Sequence, residues 1–171
     1  MSTVWSVYES PVGALTLMGG PAGLRALSFP SRGAPLDEER RDPAALAPVS
    51  AQLDEYFAGR RQGFDVPLDL VGTQFQLSVW QALLAIPFGE TRSYGDVART
   101  IGRPDRVRAV GAANGRNPIA IIVPCHRVIG SDGSLTGYGG GLHRKRVLLD
   151  LEAGVAGGRP SLFTHQQLML T

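Results

Sequence analysis

The chain has 171 residues, 43% of them hydrophobic, which can supply a core for one domain or for two small ones. Its single cysteine excludes an internal disulfide, and one cysteine with three scattered histidines argues against a structural zinc site. The start has no basic segment leading into an apolar one, no apolar run approaches the roughly 20 residues of a membrane span, and a reducing, cytoplasmic setting is expected.

In chain order, residues 3–29 read as an antiparallel meander. Val4 to Glu9 alternates, Pro11-Val12-Gly13 turns, Leu15-Thr16-Leu17 alternates again, and Gly19-Gly20-Pro21 turns before Leu24 to Phe29. From Pro30 to Pro43 the chain is polar and charged and reads as a surface loop. Leu46, Val49, Leu53 and Phe57 fall at helical spacing, with the regular helix expected from about Pro48 and Gly59 as its stop. Phe64, Val66, Leu68 and Leu70 alternate with Asp65, Pro67 and Asp69, the pattern of a strand with one wet face that Pro67 places at a sheet edge. Residues 1–72 thus read as a small α/β domain serving as scaffold, with Val71-Gly72 as the hinge.

Thr73-Gln74-Phe75-Gln76 matches a capping box, and Phe75, Val79, Leu83 and Ile86 continue it as an apolar helical stripe; these and Trp80 read as core. Ser93 to Gly102 reads as a short capped helix, followed by a turn through Arg103-Pro104-Asp105 and a second helix from Arg106 to Gly115, which are helix-turn-helix proportions. Gly111 costs that second helix about 1 kcal/mol relative to alanine. Either close helix packing or a flat face pressed into a nucleic-acid groove would account for it. Charge distribution favours the groove: residues 1–72 carry 6 basic and 9 acidic side chains, whereas residues 91–146 carry 10 basic and 3 acidic.

Asn117-Pro118 ends the second helix, and Ile119 to Val123 reads as a buried strand or extended segment leading into Pro124-Cys125-His126-Arg127-Val128. Asp132-Gly133 is a tight-turn signal, Gly137-Tyr138-Gly139-Gly140-Gly141 a glycine-rich loop, and Leu142 to Glu152 a helix with Val147, Leu148 and Leu151 on one face and Gly154 beyond its end. Residues 73–154 form the second domain, and 155–171 a loosely attached tail.

The only cysteine therefore follows a proline at the end of an apolar run, next to a histidine. A lone cysteine is most often a buried small hydrophobe. An adjacent imidazole, however, is a common means of making a thiolate nucleophile. In a strand His126 would point away from Cys125, so contact would need a bridging water. An acid on the second imidazole nitrogen is also expected, and Glu152, Asp132 and Asp150 are all candidates.

Asn117-Pro118, Ile121 to Val128 and Gly137-Tyr138-Gly139-Gly140 closely resemble the active-site signature of the O6-alkylguanine-DNA alkyltransferases, the methylated-DNA–protein-cysteine methyltransferases. The likeness extends through Arg108-Ala109-Val110-Gly111, Tyr94 and the Phe75–Trp80 helix, forward to Glu152, and back to Ser10-Pro11-Val12-Gly13. It implies an α+β chain: an amino-terminal α/β domain with an antiparallel, ribonuclease H-like sheet, and a mostly helical winged-helix/helix-turn-helix domain. It also implies a single-use reaction without cofactor, in which Cys125 takes the alkyl group from O6 of guanine and keeps it as a thioether. By resemblance His126 deprotonates Cys125 through a water, Glu152 orients His126, Asn117 stabilises the local geometry, and Tyr94 hydrogen-bonds the guanine. Ser93, Arg108, Ala109, Gly111, Ala112 and Arg127 would contact DNA, with Arg108 filling the gap left by a base flipped from the minor-groove side. Val128, Tyr138, Gly139 and Gly140 would form the base pocket; the family often has serine where this chain has Gly139, but an amide donor survives.

The implied partner is double-stranded DNA carrying O6-alkylguanine, with O4-alkylthymine as a further possible lesion, met by a monomer and with no membrane. The alternatives are a non-catalytic module that binds alkylated DNA, and a cysteine hydrolase with a Cys-His-Glu triad. Relatives without the chemistry replace the cysteine, and a hydrolase would turn over many times.

Overall fold

The structure, a computed structural model, describes residues 3–29, 36–161 and 163. The alternating amino-terminal segments form an antiparallel meander of β1 (Val4–Ser10), β2 (Gly13–Gly20) and β3 (Gly23–Ser28), with Val4 opposite Gly19 and Ser10 opposite Gly13. Facing partners share one side of a sheet, so Tyr8 and Leu15 bury the same face, as do Leu17 and Leu27. A register shift at Met18/Gly19 lets Leu24 join Leu27 in the core although the two are three residues apart. Helix α1 (Ala47–Phe57) covers that face with Val49, Leu53, Tyr56 and Phe57, and Pro48 sits in its first turn, where no amide is missed. The Tyr8 ring stacks on Phe57 at 6.5 Å, and its hydroxyl donates to Asp54 Oδ1 at 2.7 Å.

Two expectations for this half change. Residues 64–70 do not form a regular strand: Leu68 alone bridges to Leu24, in parallel, with Leu24 N–H donating to Pro67 O and Asp69 N–H to Leu24 O, both at 2.8 Å. Pro67 has no amide to extend the ladder, so pairing stops there, although the segment does lie at the sheet edge. The approach is close enough that a Cβ on Gly23 would lie 2.5 Å from the Pro67 carbonyl. Within the expected surface loop, Glu38–Arg40 forms a 3-10 turn capped by Asp37, and residues 30–35 lie outside the described ones.

The second half is helical. Helix α2 (Gln74–Leu84) opens on a complete Thr73/Gln76 capping box and buries Val79, Trp80 and Leu83. Strand β4 (Arg92–Ser93) leads into α3 (Tyr94–Thr100), capped by a reciprocal Ser93/Asp96 box, and α4 (Val107–Gly115) follows a short turn and packs on α3. Trp80 Nε1 donates to Ala113 O at 2.9 Å, tying α2 to α4. Strand β5 (Val128–Ile129) pairs in parallel with β4, and α5 (Leu142–Ala156) closes the described chain. This last helix overruns its expected end. Gly154 lies inside it, because Ala153, Val155 and Ala156 carry it on to Gly157, with Val155 resting beside Gly59. The start of the tail is not loose either: Ser161 Oγ donates to Phe57 O at 2.6 Å and Phe163 meets the Phe57 ring edge-on. Residue 162 and residues 164–171 lie outside the described ones.

The buried side chains of both halves form one hydrophobic cluster. The halves are also joined through backbone, with Leu27 N–H donating to Pro118 O at 2.9 Å and Ala120 N–H to Leu27 O at 3.0 Å. Among the described residues no helix is long and apolar enough to cross a membrane, and no three His, Cys, Asp or Glu side chains converge on a metal site.

Candidate active site

The run before Cys125, expected as a buried strand or extended segment, is a buried turn. Ile119 makes one bridge to Leu27, after which Ile122 N–H donates to Ala120 O at 2.8 Å and Val123 N–H to Ile119 O at 3.0 Å. Asn117 spans the turn: its Oδ1 accepts from Ile119 N–H at 3.0 Å and its Nδ2 donates to Val123 O at 2.7 Å. Ile121 sits at φ 71°, the one non-glycine residue with positive φ among those described, a strain of about 1–3 kcal/mol for a β-branched side chain. Apolar β-branched residues read locally as strand. Here burial on every side and the Asn117 amide impose the turn instead.

Pro124 then leads into a 3-10 turn over Cys125–Arg127. Successive side chains in such a turn fan out by about a third of a circle. Cys125 faces a cavity of about 760 Å³, whereas His126 and Arg127 point into the protein, both buried. The opposed strand geometry expected for Cys125 and His126 is replaced by this fan.

Behind the cysteine, four side chains meet. His126 Nε2 lies 2.7 Å from Glu152 Oε2, which selects Glu152 over Asp132 and Asp150 as the acid. Arg127 Nε donates to Glu152 Oε1 at 2.7 Å and a terminal Arg127 nitrogen to Oε2 at 3.0 Å, while the other donates to Ile86 O at 2.7 Å. The Tyr56 hydroxyl donates to the same Oε2 at 2.6 Å. Burial pushes the Glu152 carboxyl up, but His126 and Arg127 together pull it down further, to about 2. Glu152 is therefore an anion at neutral pH. Burial, and then the Glu152 charge, push the Tyr56 phenol well above its usual value, so it remains a donor. His126 Nδ1 has no protein hydrogen-bond partner among the described residues.

Burial raises the Cys125 thiol, against the opposing pull of the Asn117 amide, the Lys145 ammonium and the Tyr138 hydroxyl. The last lies near the sulfur without a well-formed hydrogen bond. A thiol held this way rests protonated and needs a base to react. Lys145, the only lysine, is buried, with Nζ donating to Val128 O at 2.6 Å and Thr136 O at 2.8 Å. It ties α5 to β5 and to Thr136, which leads into the glycine-rich loop of the cavity wall.

The cavity wall combines Tyr94 from α3, Gly111 from α4, Asn117, Cys125 and the glycine-rich loop, including Tyr138, Gly139 and Gly140. Thr136 Oγ1 donates to the Tyr94 hydroxyl at 3.2 Å. Leu27, Ser28 and Phe29 complete the wall from the sheet, so the amino-terminal half is more than scaffold. Phe29 meets Tyr138 edge-on at 5.5 Å, Arg144 stacks on it at 5.3 Å, and its ring fills the space a Cβ on Gly140 would need. A Cβ on Gly111 would stand 3.8 Å from the Tyr94 ring, an ordinary contact, so helix packing is not what requires that glycine.

The expected site residues divide accordingly. Cys125, Asn117, Tyr94, Gly111, Tyr138, Gly139 and Gly140 share the cavity, with His126 and Glu152 behind it. On α4, Arg108 and Ala112 are exposed and Ala109 is half-buried; Ser93 is half-buried and spends its hydroxyl on the α3 cap. Two residues are corrected. Arg127 is only 6% exposed and bonded to Glu152, so its guanidinium is not a DNA contact. Val128 is buried, with its N–H on Cys125 O and its carbonyl accepting from Lys145, so its side chain belongs to the core and not to the cavity wall. Tyr56, Phe29 and Lys145 were not singled out by sequence. Lys145 alone left a trace, sharing the i, i+3, i+7 face of α5 with Leu148 and Glu152.

Comparison with known proteins gives a consistent picture. Residues 3–70 match the family described as 6-O-methylguanine DNA methyltransferase, ribonuclease-like domain, and residues 74–154 the one described as 6-O-methylguanine DNA methyltransferase, DNA binding domain. The methylated-DNA–protein-cysteine methyltransferase of Mycobacterium tuberculosis is 55% identical over 165 residues, 93% of this chain and 98% of that protein. That of Methanosarcina acetivorans is 50% identical over 151 residues, 86% of this chain and 97% of its own. The crystal structure of Mycobacterium tuberculosis OGT in complex with DNA matches with a TM-score of 0.84 at 51% identity, covering 96% of this chain and 98% of that one.

Proposed function

The chain belongs to the 6-O-methylguanine DNA methyltransferase family and reverses DNA alkylation directly by moving the alkyl group to a cysteine, and we propose that Cys125 is the acceptor. One observation carries this reading: the only cysteine in the chain faces the cavity, backed by a histidine bonded to a buried carboxylate. Its substrate is double-stranded DNA carrying O6-alkylguanine.

In the proposed reaction the Cys125 thiol gives its proton, through a water, to His126, and Glu152 holds the resulting imidazolium. The thiolate attacks the alkyl carbon, a C–S bond forms, and the C–O6 bond breaks with its electron pair left on the guanine. Tyr94, in the cavity wall, supports reprotonation of that guanine, and the proton balance closes with the one taken from the thiol. The product is a thioether, which has no good leaving group, so each molecule acts once. Asn117 maintains the turn that presents Cys125.

The target atom lies inside the base stack, so the nucleotide must be extruded. Helix α4 borders the cavity with Gly111 and presents Arg108 and Ala112 outward, which supports entry from a minor groove about 6 Å wide with Arg108 filling the vacated stack. Residues 1–72 and 73–154 act as two units of a monomer, and a reducing cytoplasm suits its single thiol. Cys125→Ala tests the assignment: it is expected to abolish transfer from an O6-methylguanine duplex while retaining DNA binding. Retained transfer would remove Cys125 from the reaction.

A further inference from the structure

We propose that Tyr56, on helix α1 of the amino-terminal half, is a positioning residue of the proton relay, fixing through its buried hydroxyl the Glu152 oxygen that holds His126. The inference rests on the alkyl-transfer reading given above. Glu152 Oε2 accepts from three groups, namely Tyr56 at 2.6 Å, His126 Nε2 at 2.7 Å and Arg127 at 3.0 Å. Arg127 also occupies Oε1. The carboxylate is thus held from two sides: Arg127 sets its plane as a fork, and Tyr56, 96 residues distant in sequence, sets which way Oε2 points.

The groups facing Glu152 are Tyr56 from α1, His126 and Arg127 from the 3-10 turn, and Tyr138 from the glycine-rich loop. Of the three donors, Arg127 is charged and His126 becomes charged in the reaction, whereas Tyr56 stays neutral throughout. Its hydroxyl withdraws electron density from the oxygen that grips the imidazole without adding charge. Without it the oxygen facing the imidazole would carry more negative charge and favour the protonated ring more, so the pH at which transfer is half-maximal should rise. Tyr8, on strand β1, supplies a control packed against the same helix. It also buries its ring against Phe57 and donates to a carboxylate, Asp54 at 2.7 Å, but it has no contact with Glu152.

The test is single-turnover methyl transfer from an O6-methylguanine duplex, read as rate against pH. Tyr56→Phe should slow transfer about tenfold at neutral pH and move the half-maximal pH upward, with DNA affinity unchanged. Tyr8→Phe should leave both readings at wild-type values. In a Glu152→Gln background, Tyr56→Phe should change the rate by less than about twofold, because the two act as one unit. Placing 3-fluorotyrosine at position 56 keeps the ring and hydroxyl but makes the phenol a stronger donor, so the half-maximal pH should move down; this covers the case in which Tyr56→Phe fails to fold. An unmoved pH profile in the fluorinated protein, or an equal slowing by Tyr56→Phe in both backgrounds, would overturn the proposal. Wild-type protein in the same assay separates the two levels: no transfer there defeats the functional reading, whereas wild-type transfer with an unaffected Tyr56→Phe defeats this inference alone.

Discussion

In front of Cys125 the wall is made of glycines, two tyrosines, a phenylalanine and few hydrogen bonds; behind it a histidine, an arginine, a glutamate and a tyrosine are bonded to one another with almost no exposure. The front is shaped by what is missing, since the glycine-rich loop lines the cavity with few side chains. The back is shaped by what must be satisfied, since a buried carboxylate is tolerated only while its donors remain. The contrast separates recognition from chemistry. Changes in front should alter what enters, whereas changes behind should cost the fold and the reaction together.

The sharpest attempt to break that division is Arg127→Ala. It leaves Glu152 short of its fork and should destabilise the protein by about 3–5 kcal/mol in urea unfolding, while DNA affinity measured on folded protein is unchanged. A residue belonging to the DNA surface would show the reverse.

Next comes acid. The Glu152 carboxyl is depressed in the folded state from 4.5 to about 2, so its contribution to stability is complete above about 4.5 and is lost as pH falls toward about 2. The melting temperature should drop through that window, and Glu152→Gln should flatten the drop there at the expense of a lower melting temperature at neutral pH. An equal slope in both proteins would place the charge of Glu152 outside the stability account.

The smallest stability effect belongs to the front. Gly140→Ala puts a Cβ 2.6 Å from the Phe29 ring, which must move, costing about 1–3 kcal/mol. Its main effect should be on transfer, because the ring moves into the cavity wall. Adding Phe29→Leu should restore much of the stability, as measured by thermal unfolding; no rescue would mean that the loop, not the ring, is strained.

The same division decides what the sequence made legible. Asn117, Cys125 and the glycine-rich loop stand within one short stretch of signature residues, with Tyr94 upstream of it, and both capping boxes are local patterns with a local cause. The acid was narrowed to three residues by chemistry and to Glu152 by resemblance; only the 2.7 Å contact with His126 selects it physically. Tyr56 was invisible because it lies within an apolar helical stripe, and its partner is 96 residues away. Arg127 was misplaced because charge is read as surface unless a buried counter-charge is known. Ile119–Val123 reads as a strand or extended segment but folds as a turn, because local propensity cannot anticipate Asn117 clamping both ends of it. Where the cause is local, sequence shows it; where the cause is a meeting of distant segments, only the fold does.

The central claim, that Cys125 is a single-use alkyl acceptor, is tested most directly by mass spectrometry after incubation with excess O6-methylguanine duplex. The account predicts one added methyl group per protein, on the peptide containing Cys125, with the guanine restored in equal amount. Restored guanine with an unmodified Cys125 peptide, or more than one lesion cleared per protein, would contradict it.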